Sequence, residues 1–257
     1  MSKNPHPPGA VLITGASSGI GEALARDYAG PGRFLALSGR DAERLETVAK
    51  TCRKFGSQVN AETVDVAERD AMARWIESVD ALNPLDLVIA NAGTSAGTGG
   101  QGESESQARD IFAVNLAGVL NTVWPAITAM RGRGRGQIAI VSSIVGFRDM
   151  PGTPAYSASK AAVKAYGEAL RGWLAADGIK VLVVCPGFVR TRMTDNNPYP
   201  MPLIIDPDKA ARIIRRGLER NKARIVFPWP MHLAALLLAV LPPAWTDPLL
   251  TRAPKKD

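Results

Sequence analysis

Seven short runs of mostly apolar, often β-branched residues recur along this chain, at 10–13, 34–38, 59–64, 85–90, 137–141, 180–184 and 224–227. They alternate with longer stretches of helical period near 19–29, 41–54, 67–82, 104–131, 155–176 and 207–221. A strand that is apolar on both sides must be covered on both faces, which calls for helices on either side of a parallel sheet. Right-handed crossovers connect such strands. Asp206-Pro207 marks the start of the last of these helices, an N-cap followed by proline at the first helical position. The pattern predicts a doubly wound α/β sheet of about seven strands with helices on both faces. A length of 257 residues permits one domain or two. The unbroken alternation selects one, spanning 1–257, with a flexible tail over 1–9 and an apolar extension over 228–257.

With 46% apolar and 21% charged residues, the chain can bury enough surface to offset its conformational entropy, so disorder is excluded as its main state. Lys and Arg number 31 against 24 Asp and Glu, a formal charge of +7. That excess suits an anionic ligand, a nucleic acid or a membrane surface, and no nucleic-acid-binding module is recognisable. The polar, proline-rich opening does not read as a signal peptide. The longest apolar run, 233–241, is well short of the ~20 residues that span a bilayer. Two cysteines, Cys52 and Cys185, read as packing thiols in a reduced, cytoplasmic setting.

Directly after the first strand stands Thr14-Gly15-Ala16-Ser17-Ser18-Gly19-Ile20-Gly21. Glycines at such a turn let the backbone approach a pyrophosphate and let the next helix pack closely on the sheet. The N-terminus of that helix offers unpaired N–H groups and a positive dipole end. The expected fold is therefore Rossmann-like, with a dinucleotide at this loop. A chain built for NAD would carry an acid about 20 residues further on, to hold the ribose 2′-OH. Here the second strand ends in Gly39 and Arg40 follows, so the sequence favours NADP(H) over NAD(H): a guanidinium suits a 2′-phosphate.

Tyr156 and Lys160 are four residues apart on a predicted helix and share one face, and Ser143 lies thirteen residues before Tyr156, just after the fifth strand. Together with the glycine loop, Asp65-Val66, Asn91-Ala92-Gly93, Asn115, and Pro186-Gly187 with Thr191, these run in an order that resembles the short-chain dehydrogenase/reductase family from residue 10 to about 192. The resemblance implies an oxidoreductase that interconverts a carbonyl and an alcohol. Tyr156 is then the general acid in reduction and the base in oxidation. A free tyrosine has a pKa near 10, leaving ~0.1% phenolate at neutral pH, and a cation about 4 Å away is worth ~4 kcal/mol at an effective dielectric of 20. Lys160 is implied to supply that cation and to bond the nicotinamide ribose, while Asn115 holds a water on the proton path. Ser143 donates to the substrate oxygen.

By the same matching, Gly15, Ser17, Ser18, Gly19, Ile20 and Gly21 hold the phosphates. Asp65 and Val66 meet the adenine, and Asn91, Ala92 and Gly93 form the turn beside the cofactor. Pro186, Gly187, Val189 and Thr191 wrap the carboxamide. No metal is expected.

On the substrate side, Val145, Phe147, Phe188, Met193 and Tyr199 are the candidate wall residues of an apolar or amphipathic pocket. The ending departs from the family's usual short glycine-rich tail. An apolar segment flanked by Trp229 and Trp245 follows a basic stretch over 212–222. Three placements stay open for 228–250: over the pocket, between subunits, or as peripheral contact with a membrane. A homo-oligomer, a dimer rather than a tetramer, is expected, since Pro242-Pro243 removes the usual sheet-extending tail. The alternative functions are a cofactor-binding sensor or scaffold without turnover, against which the intact Ser143, Tyr156, Lys160 and Asn115 set argues, and a peripheral-membrane reductase of lipid-like carbonyls.

Overall fold

The computed structural model of the chain describes residues 8–95, 103–195, 197 and 200–250. Seven strands, β1 (Ala10–Thr14), β2 (Phe34–Gly39), β3 (Gln58–Thr63), β4 (Leu87–Ala90), β5 (Gly136–Val141), β6 (Ile179–Pro186) and β7 (Arg224–Phe227), form one all-parallel sheet in the order β3-β2-β1-β4-β5-β6-β7. The order reverses between β1 and β4, the switch point where open α/β sheets leave a crevice at the carboxyl ends of their strands.

Strand alternation divides the core into two layers. Leu12, Val88 and Ile140 face one side, with Met72, Ile127 and Val163 from α3 (Arg69–Leu82), α5 (Gly118–Arg131) and α6 (Pro154–Trp173). Ile13, Ile89 and Val184 face the other, where α1 (Gly19–Tyr28), α2 (Ala42–Lys54) and α8 (Pro207–Glu219) contribute Leu24, Leu45 and Ile214. The Rossmann-like doubly wound fold is as expected. β3 is the exception to the apolar rule: this edge strand, sequence QVNAET, has no fully buried residue.

Local differences from the expected elements have identifiable causes. β4 begins at Leu87, two residues later than the expected run, and side-chain bonds surround its start. The Leu85 N–H donates to Asp80 Oδ1 (2.9 Å), and the Asp86 carboxylate accepts from Gly9 N–H (2.8 Å) and Ala10 N–H (3.2 Å). Those bonds also tie down the end of the tail expected over 1–9; residues 1–7 lie outside the described residues.

The single helix expected over 104–131 is α4 (Glu105–Phe112), a π-helical turn (Ala113–Ala117) and α5 in succession. π turns cluster at functional sites, and this one contains Asn115. Three further helices, α7 (Arg192–Asp195), α9 (Trp229–Val240) and α10 (Pro243–Leu250), occupy the stretch after β6 and the apolar extension. Both cysteines are free and buried, and burial pushes the Cys52 thiol up to about 11 and the Cys185 thiol up to about 12.

Candidate active site

The loop from Gly15 to Ser18 turns from β1 into α1. Gly15 (φ 67°) and Gly19 (φ 59°) adopt the left-handed backbone that glycine tolerates. Space matters as much as φ: a Cβ on Gly21 would lie 2.3 Å from the Gly15 carbonyl oxygen. Gly21→Ala must therefore displace the loop itself. It is expected to weaken NADPH binding about tenfold or more, read from quenching of the dinucleotide's fluorescence. Undiminished affinity would show that the loop does not carry the phosphates.

Across the switch point, the Thr14 hydroxyl accepts from the Asn91 and Ala92 N–H groups (3.1 Å each). The Asn91 side-chain amide donates to the Thr14 (2.9 Å) and Gly15 (3.3 Å) carbonyls. Asn91 thus ties the glycine loop to the end of β4.

At the end of β2, Arg40 and Arg44 both line the crevice. Arg40 Nη1 stands 3.9 Å from Asp65 Oδ2, with both side chains well exposed to water. Asp41, one of two acids between them in sequence with Glu43, caps α2: its Oδ1 accepts from the Arg44 N–H (2.9 Å), and its Oδ2 pairs with Arg44 Nη2 (2.8 Å). Arg44 was not anticipated, although its spacing of four from Arg40 was the available signal.

Beyond β5 the two serines separate. Ser142 is buried and donates to the Lys160 carbonyl (2.6 Å), pinning α6 to the strand end. The Ser143 hydroxyl accepts from Val145 N–H at 3.3 Å and stands 3.5 Å from the Pro186 carbonyl, two long contacts that hold it loosely. The first turn of α6 carries Tyr156. The Glu103 carboxylate accepts from the Ala155 (2.5 Å) and Tyr156 (3.4 Å) N–H groups, a negative charge where the helix dipole favours one. No sequence signal links Glu103 to a helix fifty residues on.

One turn later Lys160, 4% exposed, donates to the Val141 carbonyl (3.1 Å), and its ammonium is 5.8 Å from the centroid of the Tyr156 ring. Burial pushes Lys160 down to about 8, so it is still mostly cationic at neutral pH. Gly93 leaves room for this group: a Cβ there would lie 3.2 Å from Lys160 Nζ and 3.3 Å from Asn115 Oδ1. The Asn115 side chain is fully buried. Its oxygen accepts from Thr94 N–H (2.7 Å), and its amide donates to the Thr94 carbonyl (2.9 Å) and Ser159 Oγ (3.1 Å). One oxygen lone pair remains for a further donor.

These elements enclose one cavity of about 700 Å³ running from Arg40 past Ser143 and Tyr156 to the C-terminal helices. Its size, and a largely apolar lining with a few polar groups along it, fit a dinucleotide together with a small substrate. Ser17, Ser18, Ile20, Asp65, Val66, Val189 and Thr191 line it, as do Pro186 and Gly187. Gly21 and Asn115 do not line it, lying behind its wall.

Among the substrate candidates, Val145, Phe188 and Met193 line the cavity, and Tyr199 lies outside the described residues. Phe147 is a correction. The 3₁₀ turn Ile144–Gly146 precedes it, and its ring packs on His232 (centroids 4.9 Å apart) with Lys164 and Arg224 over it at 5.0 and 5.1 Å. The walls that sequence reasoning missed come from the extension: Met231, Ala234, Ala235 and Leu238 of α9, and Leu250 of α10. Of the placements left open for 228–250, one face of α9 thus covers the pocket. Arg148 also lines the cavity, with Nη2 bonded to Thr246 Oγ1 (2.5 Å) and a buried Nε that has no hydrogen-bond partner.

Residues 9–200 match the family model described as short chain dehydrogenase. An uncharacterized oxidoreductase of Myxococcus xanthus is 34% identical over 246 residues, covering 95% of this chain and 96% of that protein. An 11-beta-hydroxysteroid dehydrogenase-like protein of Arabidopsis thaliana is 35% identical over 226 residues, 85% of this chain and 73% of that one. Among solved structures, a short-chain dehydrogenase from Sphingobium yanoikuyae in complex with NADPH superposes with a TM-score of 0.78 at 27% identity, covering 95% of each chain. A short chain dehydrogenase from Mycobacterium paratuberculosis bound to NAD gives 0.73 at 25% identity, covering 84% of this chain and 94% of that one.

Proposed function

Because this chain belongs to the short-chain dehydrogenase/reductase family and is an NAD(P)-binding oxidoreductase of it, we propose that it reduces an apolar or amphipathic carbonyl compound with NADPH, reversibly, as one domain. The observation that carries this reading is the meeting of the glycine loop, Ser143, and the Tyr156 and Lys160 pair around one cavity of about 700 Å³. The backbone of Gly15 and of Ser17 to Ile20 holds the pyrophosphate, Asp65 and Val66 the adenine, and the turn from Pro186 to Thr191 the nicotinamide end. When bound, the dinucleotide supplies the hydride for reduction or accepts it in oxidation.

The chain's own residues manage the substrate oxygen and its proton. Ser143 donates a hydrogen bond to the oxygen as negative charge develops there. Tyr156 delivers the proton, and the Lys160 cation stabilises the phenolate left behind. Asn115 sits behind them and offers its remaining lone pair to a water that refills the proton. Val145, Phe188, Met193 and the inner face of α9 give apolar walls, and the Arg148 guanidinium gives one polar group. That combination fits an amphipathic ketone or aldehyde, and the hydroxysteroid dehydrogenase names among the relatives accord with it. The direct test is an NADPH-oxidation screen across aliphatic, aromatic, steroid and acyl-thioester carbonyls. Turnover of none of them would sink the reading.

The preference for NADP(H) rests on Arg40, with Arg44 beside it and Asp41 turned into its cap. NADPH is expected to bind more tightly than NADH, and Arg40→Asp to reverse the order, a change in the ratio of about tenfold or more measured by fluorescence titration. Equal binding of the two by the unaltered protein would remove Arg40 from the role. The same reading holds the protein to be cytoplasmic and a homodimer, since α9 and α10 follow β7 where a sheet-extending tail would pair subunits. It includes peripheral membrane contact through 228–250.

A further inference from the structure

Apart from His232, α9 is apolar all round, a pattern that belongs to a helix covered on both sides, and the protein covers only one of them. Met231, Ala234 and Leu238 turn inward to the cavity. At 100° per residue, Trp229, Leu233, Leu237 and Val240 fall on the opposite face. They are 73%, 49%, 57% and 79% exposed, and Trp245 of α10 adds another 73% exposed ring. With 12 residues, α9 is ~18 Å long, too short to cross a ~30 Å hydrocarbon layer.

His232 lies on the flank between the two faces and opens a second cavity, of about 450 Å³, lined also by Arg216, Arg220, Lys222 and Arg224. No carboxylate among the described residues lines it. Arg224 is held by Glu168 (2.8 Å), but Arg216, Arg220 and Lys222 make no ion pair among the described residues. His232 Nε2 is buried there without a hydrogen-bond partner. An exposed apolar ridge edged by tryptophans, with a carboxylate-free basic hollow along its flank, is complementary to acyl chains and anionic headgroups lying side by side.

We propose that the outer face of α9, with Trp245, is a docking surface for an anionic phospholipid bilayer, the helix lying along the interface and the basic cavity receiving headgroup phosphates. A second copy of the chain is the poorer occupant. A two-fold contact through α9 would bring two such basic cavities towards each other, where like charges oppose association. The docked face and the substrate cavity are then opposite sides of one helix, which puts the pocket a helix's width from the lipid. The surface itself does not depend on the reductase reading.

The test is co-flotation of the full chain with vesicles of phosphatidylcholine alone and of phosphatidylcholine with phosphatidylserine. The protein is expected to float with the phosphatidylserine vesicles, and far less with phosphatidylcholine alone. Leu233→Glu/Leu237→Glu, both solvent-facing, should abolish flotation by at least about tenfold. Arg220→Glu/Lys222→Glu should lower it about tenfold on the anionic vesicles only. Circular dichroism and NADPH binding confirm that each variant is folded. Failure of the unaltered protein to float, or flotation undiminished in the leucine variant, would overturn the proposal. So would a leucine variant that merely turns an oligomer into a monomer in light scattering, which would assign the face to a second copy. Equal binding to both vesicle types would overturn the headgroup role of the basic cavity.

Discussion

Tyr156→Phe is expected to keep NADPH affinity within about twofold and to lose carbonyl reduction by about 10²–10⁴-fold, the usual worth of a positioned general acid. The substitution removes one hydroxyl and keeps the ring. Lys160 still donates to the Val141 carbonyl, Ser142 still pins the Lys160 carbonyl, and Glu103 still caps the helix through backbone groups that the change leaves alone. Nothing that shapes the glycine loop is touched, so binding and turnover should separate cleanly. The measurement is a fluorescence titration beside a steady-state NADPH-oxidation assay with whichever carbonyl the screen returns. Reduction persisting near the original rate would place the proton donor elsewhere.

Lys160→Met is expected to abolish turnover while stabilising the protein without cofactor. Burial lowers Lys160 from the ordinary 10.5 to about 8, which corresponds to on the order of 3 kcal/mol of penalty on the charged form at neutral pH. Methionine fills similar space without charge, but leaves the Val141 carbonyl without its donor, at a cost of about 1–2 kcal/mol. A net gain on the order of 1 kcal/mol follows, a Tm rise of roughly 2–4 °C for a chain of this length.

The pH dependence gives a second readout. Between about 8 and 10.5 the unfolded chain holds a proton on this lysine that the folded chain has released, so the original protein gains stability as pH rises through that window. The advantage of the variant should therefore shrink from pH 8 upwards. Reduction by the original enzyme should fall over the same limb, as the cation beside Tyr156 is lost. A variant less stable than the original at pH 7, with a gap that does not change with pH, would refute the assignment.

Much of this was legible from residues alone, for local reasons. Apolar runs buried on both faces demand a two-sided sheet, and the TGASSGIG loop needs glycine at Gly15, Gly19 and Gly21 whatever surrounds it. Tyr156 and Lys160 share a face because four residues make about one helical turn. The misses are of another kind. Phe147 looked like a pocket wall by its nearness to Ser143 in sequence, but the intervening 3₁₀ turn sends its ring to His232, Lys164 and Arg224. Glu103 and Arg148 act on partners 52 and 98 residues away, Ala155 and Thr246, and no local pattern announces such pairs.

The two faces of α9 show where that division falls. Composition alone established that 228–250 is apolar, bounded by tryptophans and preceded by basic residues. It left open whether the segment covers a pocket, pairs subunits or meets lipid, because a helix apolar all round has no face of its own choosing. Only the chain's path supplied one: β7 ends beside the Pro186-Gly187 turn, where the Gly187 N–H donates to the Phe227 carbonyl (2.7 Å). α9 starts from there with Met231 against the cavity and Trp229 turned outward. Periodicity and backbone sterics act over a few residues and are written in sequence. Which apolar surface meets which partner depends on contacts between distant segments, and only the packed chain decides that.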